Sequence, residues 1–232
     1  MAFRHNPQML EELKHLALAD VVLVLAFALT MSGGLMGVLA GGASFGLFIA
    51  YLPISALAVT LSFVLHELMH KFAAQHYGAV AGFRTSVNGL CITLGTAALG
   101  FLLGVPGATV IYASRFTKKE EGIVSLAGPL TNFVVFLAFL SMLYALNPAQ
   151  ESYLYLALVF TMYVSLLLAF FNMLPIYPLD GSKILAWNKP LYLAVLAVIM
   201  VLMFFYTSIS LLNIVYMLCI ALFFSVFYRV RI

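Results

Sequence analysis

The sequence VLHELMHKF, residues 64–72, places two histidines and a glutamate at the end of a stretch that has no charged residue from position 21 to position 65. A charged side chain at the centre of a membrane helix costs about 2.5–3.5 kcal/mol on insertion scales. His66 and His70 are four positions apart and therefore project from the same face of a helix. The stretch predicts a membrane-embedded helix whose ionisable side chains have a function.

The composition indicates an integral membrane protein. Of the 232 residues, 65% are hydrophobic and 8% are charged, whereas soluble domains contain about 25% charged residues. The mean hydropathy is +1.12. The formal net charge of +3 is small, so we expect a lipid bilayer around the chain and no nucleic-acid partner.

Charge-free runs predict six membrane crossings, because a crossing helix needs about 20 apolar residues. The runs are residues 21–65 (two crossings, with a turn at 41–44), 122–150 (one), 152–179 (one) and 191–228 (two, with a tight turn at 206–208). The predicted fold class is an all-α polytopic membrane protein with six transmembrane helices.

One further charge-free run, residues 85–114, is predicted not to cross the membrane. It contains five glycines and one proline, which interrupt helices: Gly89, Gly95, Gly100, Gly104, Pro106 and Gly107. The part from 84 to 94 also has a strand-like composition. We therefore predict a small β-rich or re-entrant segment, which a membrane protein tolerates where protein or a wet cavity covers it.

The basic residues support six crossings rather than seven. With six, all 11 lysines and arginines fall on one side, which the positive-inside rule makes cytoplasmic. We expect both termini on that side, and a single domain, 1–232. Its predicted parts are an interfacial N-terminal helix in 1–16, two crossings in 17–77, the β-rich or re-entrant segment in 78–115, and four crossings in 122–232.

The histidine pair is a candidate metal site. Two imidazoles at this spacing can bind one Zn²⁺, and the adjacent Glu67 can reach a water at such a metal. The alternative is that His66 and His70 are core histidines bonded to neighbouring helices. A membrane interior makes that alternative costly.

Catalytic zinc needs a third protein ligand, for which Asp180 is the first candidate. It follows the fourth crossing in FNMLPIYPLDGSK and lies on the same predicted side as the end of the second crossing. The two prolines before it forbid a regular helix, and Gly181 permits a sharp turn, so the backbone can direct Asp180 inward. The alternatives are a turn-forming role for Asp180 at the membrane surface, and Asp20 as the ligand.

Three motifs together resemble one known family, the site-2 proteases, which are intramembrane zinc metalloproteases. They are HELMH at 66–70, AGPLTN at 127–132 and NMLPIYPLDG at 172–181. The resemblance extends from the first to the sixth crossing, and six helices match archaeal members. Some relatives have PDZ or CBS domains, and we expect neither in this chain.

The resemblance implies roles for individual residues. His66, His70 and Asp180 would bind one zinc ion, and Glu67 would be the general base. Asn172 would stabilise the oxyanion, although an interhelical hydrogen bond is nearly as good an interpretation. Asn132 in AGPLTN is expected to be structural and to hold the third crossing against the core.

The implied activity is an endopeptidase that cleaves within transmembrane segments of membrane-protein substrates. The strand-prone segment near 84–94 would pair with the extended substrate. One alternative is a metal-ion transporter, which usually shows an inverted repeat that the sequence lacks. The other is a structural zinc protein, whose site would need a fourth protein ligand.

Overall fold

A computed structural model describes residues 7–39, 43–104, 106–112 and 116–207. These residues form nine α-helices, one π-helical turn and two strands. In chain order the elements are α1 (Pro7–Met31), α2 (Gly34–Leu39), α3 (Ala43–Val59), the π-helical turn (Thr60–Val64), α4 (Leu65–His76), β1 (Val80–Thr85), α5 (Val87–Ala98), β2 (Gly107–Tyr112), α6 (Lys118–Leu146), α7 (Tyr153–Asn172), α8 (Asp180–Trp187) and α9 (Lys189–Tyr206).

Within the described residues, five helical segments are long and apolar enough to cross a membrane, so the chain is an all-α polytopic membrane protein, as predicted. The segments are Met9–Met31, Phe45–His76, Lys118–Leu146, Tyr153–Asn172 and Lys189–Tyr206. They correspond to the first five predicted crossings. The sixth predicted crossing lies outside the described residues.

The described part of the N-terminal segment is not a separate interfacial helix. Residues 7–16 are the first turns of α1, which continues without a break to Met31, because no glycine or proline interrupts it after Pro7. Glu12 therefore lies on the first crossing helix, where it forms an ion pair with Lys71 of α4 at 2.6 Å. This pair joins the start of α1 to the helix that contains the histidines.

The segment after α4 begins with one strand of a small sheet and ends with the other, so both of its ends lie together and it does not cross the membrane. β1 and β2 are antiparallel, with Val80 opposite Tyr112 and Thr85 opposite Gly107. α5 lies between them in the sequence. The Ser86 N–H donates to the Pro106 carbonyl at 3.0 Å, which closes the excursion beside the sheet.

The prediction of strand structure across 84–94 was wrong beyond Thr85, because most of that stretch belongs to α5. The hydroxyl of Ser86 caps this helix by accepting from the Gly89 N–H at 3.1 Å. Each helical glycine costs only about 0.5–1 kcal/mol relative to alanine. The cap and the burial of Leu90 and Ala97 outweigh that cost, so Gly89 and Gly95 do not break the helix.

A π-helical turn directly precedes the helix of the HELMH motif, and its side chains connect it to two other crossings. Thr60 donates to Asp20 Oδ2 of α1 at 2.8 Å, and the hydroxyls of Ser62 and Ser165 of α7 are 2.6 Å apart. Short π-helical insertions change the rotational phase of the helix that follows. These contacts therefore fix the face that α4 presents to α6.

Candidate metal centre

Three donor atoms from two distant helices meet beside α6. The Nε2 atoms of His66 and His70 are 3.0 Å apart. Asp180 Oδ2 lies 3.5 Å from Nε2 of His66 and 3.1 Å from Nε2 of His70. All three residues are buried. The structure thus brings together the residues that the sequence suggested as ligands, and within the described chain they form a group able to hold a metal ion.

The geometry of this group fits zinc. A tetrahedral zinc site with bonds of about 2.0–2.1 Å separates neighbouring ligand atoms by about 3.3 Å, which the three distances bracket. Gly128 of α6 leaves the adjacent space open: a Cβ there would lie 2.6 Å from His66 Nε2 and closer still to His70 Nε2. The site therefore has the donor set, the spacing and the space that a zinc ion requires.

Asp180 is the first residue of α8, after the irregular turn that the two prolines impose. The sharp turn predicted at Gly181 was wrong in its position, because Gly181 is the second residue of α8 and the turn precedes it. A Cβ at Gly181 would meet the carbonyl oxygens of Met173 and Leu174, the latter at 2.6 Å. Glycine is needed here because α8 begins in direct contact with the backbone that follows α7.

Each histidine also has a partner for its second ring nitrogen, and both partners are on α6. Nδ1 of His70 is 2.8 Å from the Val124 carbonyl oxygen, and Nδ1 of His66 is 3.2 Å from the side-chain amide of Asn132. Such contacts hold the ring and its tautomer. The sequence interpretation, that Asn132 holds the third crossing against the core, did not identify His66 as its partner, although Gly128 and Asn132 have the same four-residue spacing as the histidines.

Glu67 is half-buried and is held by a residue that sequence reasoning did not identify. Its Oε2 accepts from the backbone N–H of Thr109 at 2.9 Å and from the Thr109 hydroxyl at 2.7 Å. Thr109 lies in β2, so the sheet holds the carboxylate of the residue that directly follows His66. Nothing local in the sequence distinguishes Thr109 from other strand residues.

Two other predicted candidates form hydrogen bonds outside the three-residue group. The amide of Asn172 donates to the Leu168 carbonyl at 3.0 Å within α7, and its predicted oxyanion role stays a prediction. Asp20 accepts from Thr60 and is not part of the three-residue metal group in the described chain.

A cavity of about 360 Å³ is lined by two residues that contact the candidate site. It contacts Thr109, which binds Glu67, and Val124, which binds His70. Its polar lining offers a place for water close to both groups. The lining residues are Thr109, Ile111, Phe116, Glu121, Val124, Ser125, Tyr177 and Lys183.

Fold and site together define a polytopic membrane protein with a His–His–Asp group able to hold zinc and a glutamate next to it in the sequence. This combination is typical of a zinc metalloprotease. The chain is 41% identical over 143 residues to MJ0611 of Methanocaldococcus jannaschii, a protein assigned by name to the zinc metalloproteases; the match covers 58% of this chain and 70% of that protein. The chain belongs to the site-2 protease family of zinc metalloproteases.

Two bacterial relatives have names of the same kind. Rip2 of Mycobacterium tuberculosis is 32% identical over 166 residues, covering 66% of this chain and 64% of Rip2, slightly less than two thirds of its length. YwhC of Bacillus subtilis is 27% identical over 157 residues, covering 59% of this chain and 69% of YwhC. No family model matches the chain. None of these names supports the alternative of a metal-ion transporter.

Proposed function

We propose that this chain is an intramembrane endopeptidase that hydrolyses peptide bonds within transmembrane segments of other membrane proteins. The observation that supports this most directly is the position of the two histidines of the metal group inside the crossing segment Phe45–His76. With a rise of 1.5 Å per residue, His70 and His66 lie about 9 and 15 Å from the end of that helix. A soluble loop would not reach this depth, whereas a transmembrane segment is already there.

The charge distribution supports a cytoplasmic orientation for the end of α4. Both termini would then be cytoplasmic, and cleavage would occur near the cytoplasmic end of the substrate helix. The partners are a transmembrane protein substrate and the surrounding lipid.

The chemistry assigns a role to each group at the centre. Zinc, when bound by His66, His70 and Asp180, supplies a Lewis acid that activates water and polarises the peptide carbonyl. Glu67 accepts the proton of the attacking water and then donates it to the leaving amine. Thr109 binds Oε2 of Glu67 and so leaves Oε1 to exchange the proton.

The substrate must be extended at the scissile bond, because helical amides are otherwise hydrogen-bonded within the helix. The outer edge of β2 is the candidate surface for this segment and replaces the strand expected near 84–94. Phe83 and Thr109 lie opposite each other in the sheet, and their N–H groups do not bond across it: the Phe83 N–H is directed to Glu12 at 3.4 Å and the Thr109 N–H to Glu67. In an antiparallel pair every second residue directs its backbone groups away from the partner strand in this way. The backbone of Ile111 therefore also faces outward and is available to an added strand.

The direct test uses purified protein with one zinc per chain in lipid nanodiscs. The substrate is a synthetic single-span peptide of leucine and alanine with lysine flanks, and its products are identified by mass spectrometry. Glu67→Gln keeps the shape of the side chain but cannot accept the proton, so it should abolish cleavage while zinc is retained. Glu151→Gln, at an exposed glutamate, is the matched control and should cleave normally. Cleavage by Glu67→Gln at the wild-type rate would refute the assigned role.

The depth of cleavage is tested with a peptide series of constant flanks and increasing glycine or proline content beside the scissile bond. These residues reduce the cost of exposing a peptide bond, so the rate should rise along the series. Equal rates across the series, or cleavage confined to the lysine flanks, would show a protease that acts at the membrane surface.

A further inference from the structure

Asn132 is a fully buried polar residue in the middle of a crossing helix. It is 0% exposed, and its amide nitrogen lies 3.2 Å from Nδ1 of His66. Its other amide atom, Oδ1, has no hydrogen-bond partner among the described residues. Among the described residues, the hydrogen-bonding partner of this buried asparagine is a member of the candidate metal group. We therefore expect Asn132 to act on that histidine.

The two orientations of this amide have opposite consequences for His66. With Nδ2 nearest the ring, the amide donates to Nδ1, and the neutral imidazole then has its proton on Nε2. A protonated Nε2 cannot bind a metal. With the amide turned over, which exchanges two atoms of nearly equal size, Oδ1 accepts from Nδ1–H and the Nε2 lone pair is free.

The second histidine shows which of the two orientations the site needs. Its Nδ1 faces the Val124 carbonyl, and a carbonyl oxygen can only accept a hydrogen bond. His70 is therefore held with its proton on Nδ1 and its Nε2 lone pair towards Asp180 and His66. His66 needs an acceptor in the same place if both histidines are to bind one ion.

We propose that Asn132 is a positioning residue for the zinc site. Its Oδ1 accepts from Nδ1–H of His66 and holds the unprotonated Nε2 towards the metal. One face of α6 then serves the whole centre at four-residue steps: Val124 accepts from His70, Gly128 leaves space for the ion, and Asn132 accepts from His66. The inference concerns the zinc centre of the proposed protease, but zinc binding is measured without a substrate, so it can fail while the proposed proteolysis stands.

Two substitutions separate the acceptor from the rest of the side chain. Asn132→Leu removes acceptor and donor and keeps the number and branching of the side-chain heavy atoms. Asn132→Asp keeps an acceptor oxygen and removes the donor, and a carboxylate is a common partner of the second ring nitrogen of a metal-bound histidine. Thr131→Val is the matched control, since the Thr131 hydroxyl donates to Ala127 within the same helix at 2.8 Å.

The measurements are zinc affinity, from competition with a chelator of known affinity, and the visible absorption spectrum of the Co²⁺-substituted protein. Loss of a hydrogen-bonded partner behind a metal-bound histidine typically lowers metal affinity 10–100-fold. We expect such a loss and a changed Co²⁺ spectrum for Asn132→Leu, and affinities within about threefold of the wild type for Asn132→Asp and Thr131→Val.

Two outcomes would overturn the proposal. The first is wild-type zinc affinity in Asn132→Leu, which would make Asn132 a packing residue. The second is loss of zinc from folded Asn132→Asp, which would mean that the amide acts as a donor. If Asn132→Leu does not fold, Asn132→Asp alone decides, because it preserves size and shape while it replaces the amide donor by a carboxylate oxygen that accepts.

Discussion

Gly128 is the position where the smallest substitution should have the largest effect on the metal centre. A Cβ at Gly128 would lie 2.6 Å from His66 Nε2, whereas ordinary contacts begin at about 3.4 Å. His66 would have to move by about 0.8 Å, and metal–ligand distances tolerate only about 0.2 Å. The methyl group also takes space that the ion needs. Gly128→Ala should therefore lose at least one ligand, with a fall in zinc affinity of about 100-fold or more, about 2.7 kcal/mol.

The fold itself should survive Gly128→Ala. Overpacking costs about 1–3 kcal/mol, and replacing a helical glycine by alanine offsets about 0.5–1 kcal/mol of this. The net destabilisation of the metal-free protein should therefore be no more than about 2.5 kcal/mol. Zinc per purified chain is measured by mass spectrometry of the metal, affinity by chelator competition, and stability by thermal unfolding in detergent.

Gly95→Ala is the control, because a Cβ at Gly95 would meet nothing within 4 Å. This variant should bind zinc as the wild type does and be equally or slightly more stable. If folded Gly128→Ala binds one zinc with wild-type affinity, the space beside the two Nε2 atoms is not the position of the metal, and the reasoning is refuted.

Two further predictions concern the third ligand and the residue that holds the general base. Asp180→Ala should lose zinc and activity together, whereas Asp20→Ala should retain zinc because Asp20 contacts Thr60 instead. The zinc content of the two purified variants is measured by metal analysis. The reverse pattern would make Asp20 the ligand. Thr109→Val removes one hydrogen bond to the Glu67 carboxylate and keeps the other, from the backbone. A hydrogen bond to a charged group contributes about 1.5–3 kcal/mol, so kcat should fall about 10–100-fold with zinc content unchanged, and an unaltered kcat would contradict this role for Thr109.

The crossings were predictable because their signals are local. The thickness of the bilayer sets the length of each apolar run. The tendency of basic residues to lie on one side of the membrane favours six crossings over seven. The prediction failed in α5 because the local signal used there, glycine content, was not decisive. Glycine content indicates only the average cost of a helix, whereas the Ser86 cap and the buried face of α5 decided the structure there.

The three residues of the candidate metal group were predictable to different degrees. His66 and His70 occupy one turn of one helix, so their common face follows from helical periodicity alone. Asp180 required the additional argument that the fourth crossing ends on the same side of the membrane as the second. Its attachment to the start of α8, and the close contact that requires Gly181, became visible only in the fold.

The sequence by itself determined the membrane-spanning class, the histidine pair with its glutamate, and the family. The tertiary structure alone decided which groups hold those side chains in place. Thr109 is 42 positions from Glu67, and Asn132 is 66 positions from His66. No periodicity relates residues so far apart. Their contacts depend on the register of a two-stranded sheet and on the face that α6 presents to α4, and both arise from packing of the whole chain.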